Sequence, residues 1–375
     1  MRRTKGFVFA TLVVMLLASP LLVSCGKPKQ ATTTAPPEKT VVKEVTVTPT
    51  KSLPSVMSIT STYGGNVGEQ AVAMADQLQK NLGVKFTLQQ TGTTTNSIVL
   101  LKSRQVDLWM TGTSSLLDPY NGVGDYAKLE MGPQPLRMLF EGDATPIGVW
   151  TSEKTGIKTM EDIKGKRVAY FPGSITRNNT IEAFFKAHGF TYNDVKKVNF
   201  DSGDESYDAV KNGVIDVTLG GFKSAKLLEI DATVGLWIIP FSRSPEAAAK
   251  WKELMPQPLL ELKKNEFTGV KVDMVQPGSV QMLAAYNHLD EEVAYRVTKS
   301  IWESMDQIQK IPITNGWTRE WAIRLPLYAP FHPGSVRFFK EVGVWTPEHE
   351  KAQQEQLQGE TKRIDAWKEK LKAAK

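Results

Sequence analysis

Apolar residues along the chain alternate in some stretches and recur every three or four places in others. From about residue 54 onward they divide it into a strand and helix rhythm. Residues 56–60 read as a strand. Residues 68–81 read as an amphipathic helix, with Val72, Ala75, Leu78 and Leu82 on one face. Residues 84–89 alternate as a second strand, 97–103 are helical and 106–110 form a short buried strand. The rhythm then restarts. Residues 137–140, 147–151 and 168–171 are strand-like. Ile181, Phe184, Phe185 and His188 recur at helical spacing, which gives a helix over about 180–187. A strand at 197–200, a helix at 205–212 and a strand at 214–219 follow. Alternation of this kind predicts an open α/β sheet, mostly parallel. Residues 290–305 read as a helix returning to the first half, and residues beyond about 347 as a charged terminal helix.

One arrangement occurs twice. Segments 101–108 and 210–217 each end a helix, turn tightly and place an aspartate, Asp107 or Asp216, before a buried strand. The span 54–345 is large for one core and comfortable for two lobes. Ligands of open α/β sheets bind beyond the carboxyl ends of the strands, and clefts between domains are favoured sites. The lobes predicted are 54–147 with 276–346, and 148–275. The first chain crossing is placed near 143–148, the second near 272–283, with 236–240 as its alternative.

The amino terminus bears on compartment. Arg2, Arg3 and Lys5 precede an apolar run at 7–18, too short to span a bilayer and of signal-peptide size. It ends in Leu22-Val23-Ser24-Cys25-Gly26, which resembles the bacterial lipobox, and Cys25 is the chain's single cysteine. Residues 1–24 are therefore expected to be removed and Cys25 acylated, giving a periplasmic or cell-surface lipoprotein. The other reading is a secreted protein with an incidental cysteine. Residues 25–53 are mostly Thr, Pro, Lys and Val and read as a flexible tether.

Formal charge is +6, and loss of Arg2, Arg3 and Lys5 leaves 6 − 3 = +3. No dense basic stripe with interleaved aromatics occurs, which argues against nucleic acid. The Lys-rich tail alternates with Glu and Ala and reads as a solvated helix. Gly-x-Ser-x-Gly, His-Glu-x-x-His and a phosphate loop are absent. His188, His288, His332 and His349 lack metal-ligand spacing. The acidic group Asp201, Asp204, Glu205 and Asp208 reads as the capped start of a helix behind Ser202, in preference to a calcium site. Binding without chemistry is the expectation, with no cofactor, no metal and a monomeric chain. A carboxylate-based enzyme is the less favoured alternative.

Three further stretches carry a resemblance: 156–168, then Pro172-Gly173-Ser174-Ile175-Thr176-Arg177, and near the end 331–343 with His332-Pro333-Gly334. In this order they are similar to the TAXI family, the extracytoplasmic receptors of tripartite ATP-independent periplasmic (TRAP) transporters. The resemblance spans nearly the whole globular part. It implies a two-lobed, type II-like periplasmic binding protein whose lobes are mixed sheets flanked by helices. Such a receptor closes on a small organic anion, glutamate-like, dicarboxylate or aromatic, and hands it to a TRAP membrane permease. A ligand-sensing lipoprotein without a transport partner is the alternative. By position the resemblance implies a ligand site at Ser174 and Thr176, at Thr93, Thr94 and Thr95, and at Tyr63, Gly64, Gly65 and Asn66. Gly173 lies within the second-lobe turn.

Four residues beside those turns join the candidate site with alternatives open. Trp109, Phe171 and Phe222 stand at predicted strand ends, as pocket walls or as core. Arg177 pairs a ligand carboxylate or points to solvent. Ser174 and Thr176 themselves either hold ligand or cap the helix. Gly64-Gly65 where the family has aromatics, and Ile175 and Thr93 where it has glycines, leave glutamate specificity open and room for a bulkier acid.

Overall fold

The computed structural model describes residues 52–63, 65–255 and 257–374. The signal segment, Cys25 and most of the tether lie outside the described residues, as does Gly64.

In the first lobe the expected rhythm is present, with elements running further than the pattern suggests. β1 (Val56–Thr62), α1 (Gly65–Leu82), β2 (Lys85–Thr91), α2 (Thr94–Lys102) and β3 (Leu108–Gly112) follow in order. Ala71, Met74, Ala75 and Leu78 give α1 its buried stripe. A further helix, α3 (Thr113–Asn121), leaves β3 without a loop. Then comes β4 (Leu136–Ser152), one strand of 17 residues where the sequence pattern suggested two.

The second lobe repeats the scheme with β5 (Arg167–Tyr170), α4 (Ile175–Ala187), β6 (Lys196–Asn199), α5 (Gly203–Lys211), β7 (Val217–Gly221) and α6 (Ala225–Val234). β8 (Leu236–Ile238), α7 (Pro245–Leu254) and β9 (Leu259–Leu262) complete it. β10 (Met274–Tyr286) leads back to α8 (Glu291–Glu303), α9 (Met305–Ile308), α10 (Pro333–Glu341) and α11 (Pro347–Ala373).

The strand order is β2-β1-β3-β10-β4-β7-β5-β6, with β8 on β4 and β9 on β10. Pairing is parallel within β1–β2, β1–β3, β5–β6 and β5–β7, and antiparallel wherever β4 or β10 takes part. The sheet is therefore mixed, not mostly parallel, because both crossing strands run against their neighbours. β4 pairs with β10 through Ala144 and Thr145, then with β7 from Ile147. Two hydrophobic cores result. One holds residues such as Ile59, Leu78, Trp109, Phe140, Leu283 and Phe339; the other holds Trp150, Val168, Phe184, Val217 and Trp251.

The repeated aspartates have a shared job. Asp107 accepts from the Ser58 N–H (2.8 Å) and hydroxyl (2.9 Å). Asp216 accepts from the Arg167 N–H (2.8 Å) and its guanidinium (2.6 Å). Each aspartate ties the start of its lobe's central strand, and the two staples share one offset: 216 − 107 = 109 and 167 − 58 = 109. Asp216 is held below the ordinary carboxylate range by Arg167, despite its partial burial.

The terminal helix departs from the expected solvated arm. Glu360 on α11 forms a two-pronged ion pair with Arg137 (2.7 and 2.9 Å), both nearly buried. Gln353 clamps the Phe331 backbone at both N–H and C=O. A polar sequence here conceals a helix docked along the first lobe.

Candidate functional site

Five helices begin at one cavity. Gly65 and Asn66 of α1, Thr94 of α2, Ser114 and Ser115 of α3, Thr176 and Arg177 of α4, and Gly203 of α5 all line it. These are first-turn positions, where backbone N–H groups lack intrahelical acceptors and the helix dipole is positive. α1, α2, α3 and α4 carry no acidic residue in the first turn. Each start follows a strand and a Gly, Ser or Thr turn; the sequence pattern places four of these helices two to five residues late and gives no helix at α3. The cavity measures ≈ 150 Å³.

Arg177 supplies the formal positive charge. Its guanidinium lies 4.7 Å from the Phe171 ring centroid, and among the described residues it makes no ion pair or side-chain hydrogen bond. A methyl group on Gly203 would collide with it, so this glycine gives the guanidinium room. Asn66 is buried, and neither atom of its amide has a hydrogen-bond partner. Gln281 is buried too; its Nε2 donates to the Ser279 carbonyl (2.9 Å), while Oε1 is unpartnered. Buried polar atoms without partners are rare in native proteins. Asp201 stands exposed at the rim. Tyr207 packs edge-on against Trp150 at 5.0 Å, and burial pushes its hydroxyl up to about 12.

The turn at 172–177 is held by an amide, not by its hydroxyls. Asn178 accepts from the Phe171 N–H (2.9 Å) and donates to the Phe171 carbonyl (2.8 Å). Ser174 occupies the N-cap position without a side-chain cap bond. Thr176 donates to Asp118 on α3 (3.1 Å), and Asn179 donates to the same carboxylate (3.3 Å). The single Thr176 proton is thus committed across the cleft. Burial holds Asp118 above its ordinary range. On the other flank Glu69 of α1 accepts from the Ser224 hydroxyl and the Ala225 N–H at the start of α6, both at 3.3 Å. Lys223 pairs with Asp143 (2.5 Å) and reaches Asn315 (3.2 Å). These contacts join the lobes, as does a hydrogen bond from Gln257 Nε2 to the Ser114 hydroxyl (2.8 Å).

Tyr63, Gly65, Asn66, Thr94, Phe171, Ser174, Thr176 and Arg177 line the cavity, and Thr93, Thr95, Trp109, Gly173 and Phe222 do not. Trp109 is core: β3 continues to Gly112, so its indole sits inside the sheet, paired opposite Thr60 and Ala284. Phe222 turns away toward Phe267, leaving Gly220 and Gly221 at the wall. Thr93 caps α2 by accepting from the Asn96 N–H, and Thr95 follows one place beyond the lining residue. Gly173 faces the Thr93 side chain instead of the cavity.

The sequence reading missed Ser114, Ser115, Gly203, Tyr207 and Gln281. A signal for the first two was present: Gly112 to Ser115 is another small, hydroxyl-rich turn after a strand. Gly203 sat in the segment read only as a helix cap. There Ser202 does accept from the Glu205 N–H, while Glu205 reaches back to the Asp201 N–H.

The model of the NMT1-like family matches residues 59–343. One solved structure, described as a periplasmic transporter, is 14% identical over 80% of this chain and 95% of that one, with a TM-score of 0.50. PhnD1 of Prochlorococcus marinus, in complex with methylphosphonate, is 12% identical over 78% and 100% of the two chains, TM-score 0.48. A Bordetella bronchiseptica protein is 18% identical over 72% and 77%, TM-score 0.47. At such identities the likeness is one of fold. The TAXI resemblance is corrected by the family match. Its motifs report local turn chemistry: 172–177 is a helix start held by Asn178, and His332-Pro333-Gly334 is a helix cap. In that cap His332 Nδ1 accepts from the Gly334 N–H and Nε2 donates to the Leu289 carbonyl, and burial lowers the imidazole to about 4.

Proposed function

The chain belongs to the NMT1-like family, and on that premise we propose that it is an extracytoplasmic receptor that captures a small organic anion between its lobes and delivers it to a membrane transporter. The observation that carries this reading is the convergence of five helix starts and one unpaired arginine on a single cavity. Anion binding at such starts satisfies N–H donors that otherwise need water.

The other groups narrow the ligand. Gln281 Oε1 and Asn66 Oδ1 are acceptors and call for a donor on the ligand; Asn66 Nδ2 calls for an acceptor. A small acid that also bears a hydroxyl or amino group fits all three. The size is bounded as well, since a dry cavity of roughly 150 Å³ accommodates a benzene-sized molecule. Closure would move residues 148–275 against 54–147 with 276–346, with residues 347–375 riding on the latter. Acylation of Cys25 would anchor the receptor to a bacterial membrane through the 25–53 tether. Cys25→Ser should then release the protein from the membrane fraction without changing ligand affinity.

The test is a thermal-shift screen of small carboxylates, phosphonates and sulfonates, with and without hydroxyl or amino groups, followed by calorimetric titration. A ligand at a hundred times its dissociation constant stabilises the fold by about 2.7 kcal/mol, which is readily read. Stabilisation confined to acids bearing a donor is expected. A blank across the panel, together with native mass spectra free of any co-purified acid, overturns the reading.

A further inference from the structure

On the far face of the crossing strands lies a second and larger cavity, of ≈ 480 Å³. Along β10 the alternation of side chains divides the two sites: Ser279 and Gln281 line the cleft, and Val280 between them lines the second cavity. Its other walls come from both lobes. Glu141 lies on β4, Trp251 on α7 and Gln257 before β9; Trp321, Arg324 and Tyr328 belong to the segment leading to α10.

The polar groups at this cavity are unsatisfied. Glu141 is 1% exposed, and its Oε1 has no hydrogen-bond partner among the described residues. Gln257 Oε1 and Trp251 Nε1 are likewise buried and unpartnered. An unpaired carboxylate in an apolar setting is costly. A carboxylate and an amide oxygen beside the rings of Trp251, Trp321 and Tyr328 attract cations, since aromatic faces do so too, while two exposed side chains of the lining, Lys252 and Arg324, bring positive charge to its rim.

We propose that this cavity is a second ligand site, for a small organic ammonium ion, with Glu141 as its counter-ion and the aromatic rings as its cage. The indole N–H of Trp251 favours a ligand that also carries a hydroxyl or carbonyl oxygen. Burial holds the empty Glu141 carboxyl well above its ordinary range, so a cation displaces a proton there and binding strengthens as pH rises. Arg324 and Lys252 of α7 at the rim are the internal competitors. Arg324 is exposed, stacks 3.9 Å from the Trp321 ring centroid and makes no ion pair among the described residues. Gln257 also touches the cleft, because its Nε2 donates to the Ser114 hydroxyl (2.8 Å). Occupancy of one site is therefore felt at the other, and such coupling is reciprocal.

The test uses the full globular chain with choline and its neutral isostere, 3,3-dimethylbutan-1-ol, followed by tryptophan fluorescence and saturation-transfer NMR at pH 6 and 8. Choline is expected to bind, more tightly at pH 8, and at least tenfold more weakly in Glu141→Gln. Arg324→Ala is expected to bind it more tightly, with one of the two rim charges gone. Trp321→Leu, at a partly exposed wall, is expected to weaken binding and provides a second readout should Glu141→Gln fold poorly. Choline affinity unchanged in Glu141→Gln or in Trp321→Leu, equal binding of the isostere, or no binding to either wild type or Arg324→Ala overturns the proposal.

Discussion

Arg177 offers the sharpest test of the cleft, because its local energetics argue against its presence. It occupies the first turn of α4, where a positive charge opposes the helix dipole by about 0.3–1 kcal/mol. Stacking on Phe171 at 4.7 Å returns about 0.5–1 kcal/mol. These nearly cancel, so Arg177→Ala should shift the melting temperature of the ligand-free protein by no more than about 2 °C. Ligand binding should respond very differently. A guanidinium fork on an anion makes two charge-assisted bonds, each of about 1.5–3 kcal/mol. Allowing for partial replacement by water, a loss of about 3–4 kcal/mol is expected, or roughly 100- to 1,000-fold in affinity. Arg177→Lys keeps the charge and loses the planar fork, so it should fall between, about tenfold below wild type. Calorimetric titration with the best acid from the screen, paired with melting curves, reads both quantities. Affinity within threefold of wild type in Arg177→Ala would refute the assignment. So would a loss of affinity accompanied by a comparable loss of folding stability, since Arg177 would then be structural.

Three other substitutions probe separate parts of the argument. Asp118 has a raised carboxyl pKa where the lobes touch, so its contribution to closure is complete below the ordinary carboxylate range and is lost as pH rises through the raised value. Asp118→Asn keeps an acceptor for Thr176 without the charge; it should bind ligand severalfold more tightly at pH 7 and flatten the pH dependence between 4 and 7, and weaker binding at pH 7 counts against this account. A methyl group on Gly334 would meet the Glu291 carbonyl and the Tyr295 backbone N, so Gly334→Ala should cost about 1–3 kcal/mol in urea unfolding, and a neutral result would mean that α10 and α8 are free to separate. Glu360→Ala strands the nearly buried Arg137 and should cost about 3–5 kcal/mol, with ligand affinity unchanged and part of the stability restored by adding Arg137→Met; no loss of stability would show that α11 is not docked in solution.

The α/β rhythm was legible because its signals are local. Period, capping residues and strand-end glycines lie within a few places of one another, and β1 to β3 and β5 to β7 lie within three residues of where the pattern puts them. β4 was read as two strands because Glu141, Gly142, Asp143 and Pro146 interrupt the apolar run. Two of these have a tertiary reason: Asp143 pairs with Lys223, and Gly142 leaves space filled by the Trp317 indole. The same limit applied to the site. Ser174, Thr176, Arg177 and Asn66 stood in recognisable turns. Gln281 faces the cleft only because β10 crosses between lobes, and nothing local to Gln281 announces that. Trp109 and Phe222 were misplaced by one or two residues of strand length, enough to move a side chain from a sheet's lip into its core. The helix α11 was legible, and its docking escaped because that rests largely on charged and amide groups instead of an apolar stripe.

The two crossing strands also fix an order of events. The second core draws on one continuous stretch, Val149 to Val275. The first is assembled from two pieces, one ending near Phe140 and the other beginning near Val280. At a synthesis rate of about 5–20 residues per second, the intervening 280 − 140 = 140 residues delay the second piece by roughly 7–28 s. Until β10 arrives, β3 has an open edge, and open strand edges invite association with other chains. Pulse-labelled hydrogen exchange on refolding chains should find amides of β5 and β7 protected before those of β1 and β3. The lobe whose strands are made first is the one completed last.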